Sequence, residues 1–146
     1  MSYFDTIEVG DTLETAGRTV TEADVTSFAG VSGDFNRLHT DEEYMAESAF
    51  GERIAHGALV FSMMTGLLWR RRSEAERDAI VAFYGVDAVR FTAPTFIGDT
   101  IYVESTVAET SPVDRADAAG TVRYETEVID QDGDTVLYCE PILLFR

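Results

Sequence analysis

Lysine is absent from this chain: all 11 basic residues are arginines, set against 27 acidic residues, for a net charge of −16. Nucleic acid is excluded as a partner by that balance, because phosphate binding needs a basic face. So much self-repulsion destabilises a compact domain in dilute buffer and is screened at molar salt, where the Debye length falls to ~3 Å. The charge therefore predicts the high-salt cytoplasm of a salt-in halophile, with an acidic mesophilic protein as the alternative. Cysteine occurs once, at Cys139. An internal disulfide is excluded, and a cytoplasmic location is the default. No apolar run reaches the ~20 residues of a membrane span, and Met1-Ser2-Tyr3-Phe4-Asp5 lacks the basic and apolar regions of a secretory signal. Two histidines far apart in sequence, with no clustered ligands, make a poor metal site. No glycine-rich nucleotide loop is present, so no separate cofactor is expected.

What is present fits one domain over residues 1–146, of α+β class. Thr21-Glu22-Ala23-Asp24 reads as a helix start, with Thr21 as N-cap and acids in the first turn. This helix carries Val25, Phe28 and Ala29 on one face and ends near Gly30. A second short helix is expected from Thr40 or Asp41 through Ala46, which leaves Gly33–His39 as a loop. From Gly57 to about Arg72 apolar residues fall on nearly every side, predicting a helix buried almost all round, with Met63, Met64 and Trp69 in the core. Strands follow: Ala79–Tyr84 and Val86–Phe91 joined at a bulge at Gly85, Thr100–Glu109, an alternating run through Val122, Tyr124, Thr126 and Val128, and Val136–Phe145 after an Asp132-Gly133 turn. A curved antiparallel sheet wrapped around the one long helix is the most economical arrangement.

The scarce residue types are concentrated. Gly33-Asp34-Phe35-Asn36-Arg37-Leu38-His39 holds the only asparagine and one of the 2 histidines. The other, His56, precedes Gly57 at the start of the long helix. A carboxylate and an imidazole this close can share a water and move protons on and off it. Duller readings exist for each part. Gly-Asp-x-Asn is also an ordinary turn composition, His39 a solvent-facing loop residue, His56 a residue of the helix start. Asn36 is read as fixing the loop by hydrogen bonding. Arg70, Arg71 and Arg72 suit either the helix C-terminus or a phosphate, with the helix end ranked first. Cys139 reads as a small buried hydrophobe.

Taken together, Phe28 and Val31–His39 closely resemble the signature of the MaoC-like dehydratases, the R-specific enoyl-CoA hydratase family: an aromatic, a spacer, Gly-Asp-x-Asn-Pro, an aliphatic and His. Arg37 stands where the family has proline. Ile54-Ala55-His56-Gly57 is similar to the family's central-helix start, and Arg90–Thr100 to its Phe-x-x-Pro-x-x-x-Gly-Asp segment. The resemblance implies a hot-dog fold, a homodimer or higher homo-oligomer, and an acyl-CoA thioester as partner, with coenzyme A part of the substrate. It implies Asp34 and His39 as the catalytic pair and the Gly57 N–H as donor to the thioester carbonyl. Asn36, His56 and Thr65, further along the helix, complete the candidate set on the substrate-binding side. The implied reaction is hydration of a trans-2-enoyl-CoA to an (R)-3-hydroxyacyl-CoA. A thioesterase on the same scaffold, or a non-catalytic acyl-thioester-binding subunit, are the alternatives. Chain length and pathway, whether polyester precursor supply, fatty-acid breakdown or a specialised branched-acid route, stay open.

Overall fold

Alternation of buried and solvent-facing residues builds the sheet. In the computed structural model, which describes residues 1–146, Ile101, Val103, Ser105 and Val107 of one strand and Val122, Tyr124, Thr126 and Val128 of the next are buried. The two hydroxyls in this row satisfy each other, Ser105 Oγ to Thr126 Oγ1 at 2.7 Å, as burial requires.

The strands are β1 (Thr12–Glu14), β2 (Arg18–Thr19), β3 (Ile80–Phe91), β4 (Thr100–Pro112), β5 (Gly120–Ile129) and β6 (Thr135–Phe145). They form an antiparallel sheet in the order β1-β4-β5-β6-β3, with β2 also on β4. The helices are α1 (Glu22–Ser32), α2 (Arg37–Thr40), α3 (Glu42–Ala46), α4 (Gly57–Arg71) and α5 (Glu74–Ala79). α4 lies in the curve of the sheet, and its Leu59, Val60, Met63, Met64, Leu67 and Leu68 enter one core with Ile101, Val103, Val128 and Leu137. Burying each such side chain contributes ~1.5–3 kcal/mol. This is the hot-dog arrangement. No helix is long and apolar enough to cross a membrane.

Thr21 caps α1 through a reciprocal pair of bonds, its Oγ1 accepting from the Asp24 N–H and the Asp24 carboxylate accepting from the Thr21 N–H. Asp130–Asp134 turns β5 into β6, with Gly133 at a φ of 82°. Cys139 is fully buried with Sγ 3.5 Å from the Met64 sulfur. Burial, then the neighbouring Glu140 carboxylate, push its thiol up to about 11.

Several expectations are corrected. α1 continues through Gly30 and stops only where Gly33 adopts a left-handed φ of 76°. Gly30 sits on an open side of the helix, where nothing forces an end. Ala79 closes the short helix α5 instead of opening a strand, because Ser73 Oγ accepts from the Glu76 N–H and caps a turn rich in acid. The two expected strands around Gly85 are one strand, β3, whose pairing with β6 slips past Tyr84 and again near Ala88, at a φ of 54°. Finally, α4 is not buried all round. Ala58, Ser62, Gly66 and Trp69 are exposed, and Trp69 leaves the core with 49% of its surface open.

The arginine triplet does not act as a unit. Arg72 is buried, paired with Glu76 and lying over the Tyr124 ring at 5.3 Å. Arg71 donates to the Glu14 carbonyl. The last carbonyls of α4 are met by Arg77, which donates to Trp69 O and Arg70 O at 2.9 Å each.

Candidate active site

Each residue type in Gly33–His39 has a local geometric task. Gly33 takes the positive φ that turns the chain out of α1. Asp34 Oδ1 accepts from the Asn36 N–H at 3.1 Å, an Asx turn. Asn36 Oδ1 accepts from the Leu38 N–H at 3.0 Å and caps α2. His39 therefore rides on a one-turn helix rather than in a loop, which fixes its backbone. Arg37 is the first residue of that turn. Proline suits this position because it lacks an N–H, and a donor in the first turn has no intrahelical acceptor to lose. Arginine is accepted for the same reason, and its side chain reaches Asp41 and lies 4.2 Å above the Tyr44 ring, tying α2 to α3.

His39 is buried to 7% exposure. Its Nδ1 lies 2.8 Å from the Ile54 carbonyl oxygen, which can only accept. In the neutral ring Nδ1 therefore carries the proton and Nε2 the lone pair. Nε2 faces Asp34 Oδ2 at 3.7 Å. With Oδ1 engaged by the loop, Oδ2 is the oxygen left for chemistry. The gap is too long for a direct hydrogen bond, and one water at ~2.8 Å from each atom closes it as a triangle.

Gly57 opens α4 as its first residue, so its N–H has no intrahelical acceptor and lies at the positive end of the helix dipole. The glycine allows a contact that the sequence did not reveal: a Cβ there would stand 2.7 Å from the present position of the Phe91 ring. His39, Gly57, Ala58, Phe91, Pro94 and Thr95 line a common cavity of about 510 Å³. The Pro94–Asp99 segment runs beside the helix entry, where the Ala55 N–H donates to Thr95 O at 2.7 Å. Three separated stretches of the sequence thus converge on one place. Arg53 braces it with a two-pronged ion pair to Glu22 of α1 at 3.0 and 2.7 Å. That guanidinium's bond and charge hold the Glu22 carboxyl below its ordinary range.

Asp34 does not itself line the cavity and meets it through His39, and the remaining candidates are not brought into it either. His56 is 2% exposed, its Nε2 lies 2.9 Å from the Asp34 carbonyl oxygen, and its ring is covered by His39 and Phe28. Substrate cannot reach a ring so enclosed. The Asn36 amide oxygen is taken up by the cap, and the residue is not among those lining the cavity. Thr65 lies more than two turns beyond Gly57 at ~3.6 residues per turn, donates to Ser62 O, and lines a second cavity of about 460 Å³ with Leu68, Trp69 and Phe83. The histidines, distant in sequence, stack with centroids 3.7 Å apart and ring planes 25° apart. With Asp34 they form a group whose ligating atoms lie within 4.8 Å. Near-parallel stacked rings cannot both aim a lone pair at one ion ~2 Å away, so the stack is poor for shared ligation.

A curved sheet around a buried helix, with a carboxylate and an imidazole at the helix mouth, defines a hot-dog protein. Residues 5–129 match the family model described as MaoC like domain, and the chain belongs to that hydratase and dehydratase family. Protein MaoC of Klebsiella aerogenes is 43% identical over 104 residues, covering 71% of this chain but 30% of that protein. The 3-hydroxybutyryl-CoA dehydratase of Methylorubrum extorquens is 35% identical over 136 residues, 92% of this chain and 82% of that one. The (R)-specific enoyl-CoA hydratase of Rhodospirillum rubrum is 34% identical over 112 residues, 77% and 74% of the respective chains. The crystal structure of the monoamine oxidase regulatory protein from Archaeoglobus fulgius superposes with a TM-score of 0.90 at 38% identity, covering 99% of this chain and 94% of that one.

Proposed function

We propose that the chain adds water reversibly across the 2,3 double bond of a trans-2-enoyl-CoA, giving an (R)-3-hydroxyacyl-CoA. The observation that carries this reading is the 3.7 Å approach of His39 Nε2 to Asp34 Oδ2, with His39 in the same cavity as the Gly57 amide. The names of the Methylorubrum and Rhodospirillum relatives support the substrate class and the stereochemistry.

The chemistry asks for three things. A water held between Asp34 and His39 loses a proton to one of them as its oxygen bonds to C3. The thioester carbonyl gains enolate character and is held by the Gly57 N–H at the helix start, a kind of donor worth ~3 kcal/mol of barrier. C2 then receives a proton, leaving the hydroxyacyl thioester. General acid–base groups of this type contribute ~10²–10⁴-fold. No cofactor beyond the substrate's own coenzyme A takes part.

The working unit in this reading is a homodimer. β3 is the last strand of the sheet and offers an unpaired edge, with Phe83, Tyr84 and Phe91 exposed along it. A long apolar edge is a liability unless covered, and Phe91 carries it to the rim of the cavity. The setting is a cytoplasm of high ionic strength, which the charge of −16 favours.

Purified protein with crotonyl-CoA tests the reaction. Loss of the conjugated enoyl absorbance without free thiol is the result expected. Release of thiol makes the protein a thioesterase, and binding without turnover makes it an acyl-thioester-binding subunit.

A further inference from the structure

His56 has more hydrogen-bonding equipment than its surroundings use. The ring is 2% exposed, Nε2 lies 2.9 Å from the Asp34 carbonyl oxygen, and Nδ1 is buried with no partner. A carbonyl oxygen only accepts, so in the neutral ring Nε2 carries the proton and Nδ1 a lone pair that nothing meets. Burying an unmet acceptor is destabilising, because its bond to water is lost and not replaced. An apolar ring of the same shape would fill the space between Phe28 and His39 without that cost. The imidazole is therefore there for its one satisfied bond, and that bond ends on the backbone of Asp34.

We infer that His56 is a positioning residue for the hydration proposed above: its Nε2–H fixes the Asp34 backbone, and its ring face fixes the His39 imidazole. Both reacting side chains are thereby set in place relative to the amide of its own neighbour, Gly57. The geometry supports each link. The stack on His39 is close, at 3.7 Å between centroids and 25° between planes. The ring's far side is held by the edge of Phe28 at 5.0 Å. The residue is also the N-cap of α4, although its side chain makes no capping bond there. One rigid residue thus links three groups that come from two separate stretches of chain. A displacement of ~1 Å in such a constellation costs on the order of 100-fold in rate.

This inference rests on the hydratase reading, and two substitutions separate its parts. His56→Phe keeps a ring and loses the donor; His56→Gln keeps an N–H donor within reach of the Asp34 carbonyl and loses the ring. With crotonyl-CoA, kcat of His56→Phe is expected to fall ~10–100-fold with KM little changed and the melting temperature retained. His56→Gln is expected to recover part of that loss, the share carried by the donor to the Asp34 carbonyl, with the remainder reading the lost ring contact on His39, even if it melts lower. Undiminished kcat in His56→Phe, or no recovery in His56→Gln, overturns the inference while leaving the hydratase reading intact. A wild type that hydrates no enoyl thioester sinks both. Independently of turnover, ¹⁵N imidazole spectra, simple in a chain with 2 histidines, should show His56 protonated at Nε2 and bare at Nδ1. The opposite tautomer overturns the inference.

Discussion

The Phe91 ring lies against the backbone of Gly57, so close that a Cβ at Gly57 would stand 2.7 Å from it. Phe91 is 55% exposed and can swing outward. Gly57→Ala should therefore cost only about 1 kcal/mol of stability, the low end for overpacking, and that cost should vanish in a Phe91→Ala background. Urea unfolding of the two single variants and the double variant reads the coupling. Strict additivity would show that ring and glycine do not touch.

Gly120 provides the contrast. A Cβ there would run into Phe4, which is buried in the second core with Val122 and Phe145 and has nowhere to move. Gly120→Ala is expected to cost ~3 kcal/mol, clearly more than Gly57→Ala. Equal melting temperatures for the two variants would contradict this packing.

Cys139 should be inert in the folded protein. Its thiol is held up to about 11 by burial, and the thiolate is the reactive form. The neutral thiol is the form the fold favours, so its contribution is complete below the ordinary thiol range and is lost as pH rises through the folded value. At pH 8 maleimide labelling should be negligible until denaturant is added. Rapid labelling of native protein would place Cys139 outside the core.

Salt is expected to stabilise. With 27 acidic residues and 11 arginines, raising KCl from dilute buffer to molar concentration screens repulsion and should lift the melting temperature steadily. A flat profile would remove the high-salt argument.

The free edge of β3 makes a prediction about mass. Sedimentation equilibrium in molar KCl should give twice the 16.1 kDa of one chain. A mass of one chain at all concentrations would leave that edge unpaired in solution.

Part of the local geometry around Asp34 was legible because its residues perform local tasks. Asp34 and Asn36 form an Asx turn and a cap, which leave a short-range mark in sequence, whereas the sequence pattern puts the left-handed stop of Gly33 at Gly30 and reads the turn of helix carrying His39 as loop. The alternating strands were legible for the same reason, their period of two being a local property. What stayed hidden was tertiary. The stacking of His39 on His56 and the contact of Phe91 with Gly57 join stretches whose separation no periodicity encodes. The exposed side of α4 misled because Ala58, Gly66 and Trp69 read as apolar whether or not anything covers them. α5 was lost because charged residues suppressed its pattern, although Ser73 followed by Glu76 was a cap in plain view.

The account turns on one water shared by two side chains, and a double-mutant cycle on kcat with crotonyl-CoA tests it most directly. Asp34→Asn and His39→Gln should each lower kcat at least ~100-fold with melting temperatures unchanged, and the double variant should be little worse than either, as groups acting as a unit behave. Near wild-type rates in both single variants, or losses that multiply independently, would contradict it.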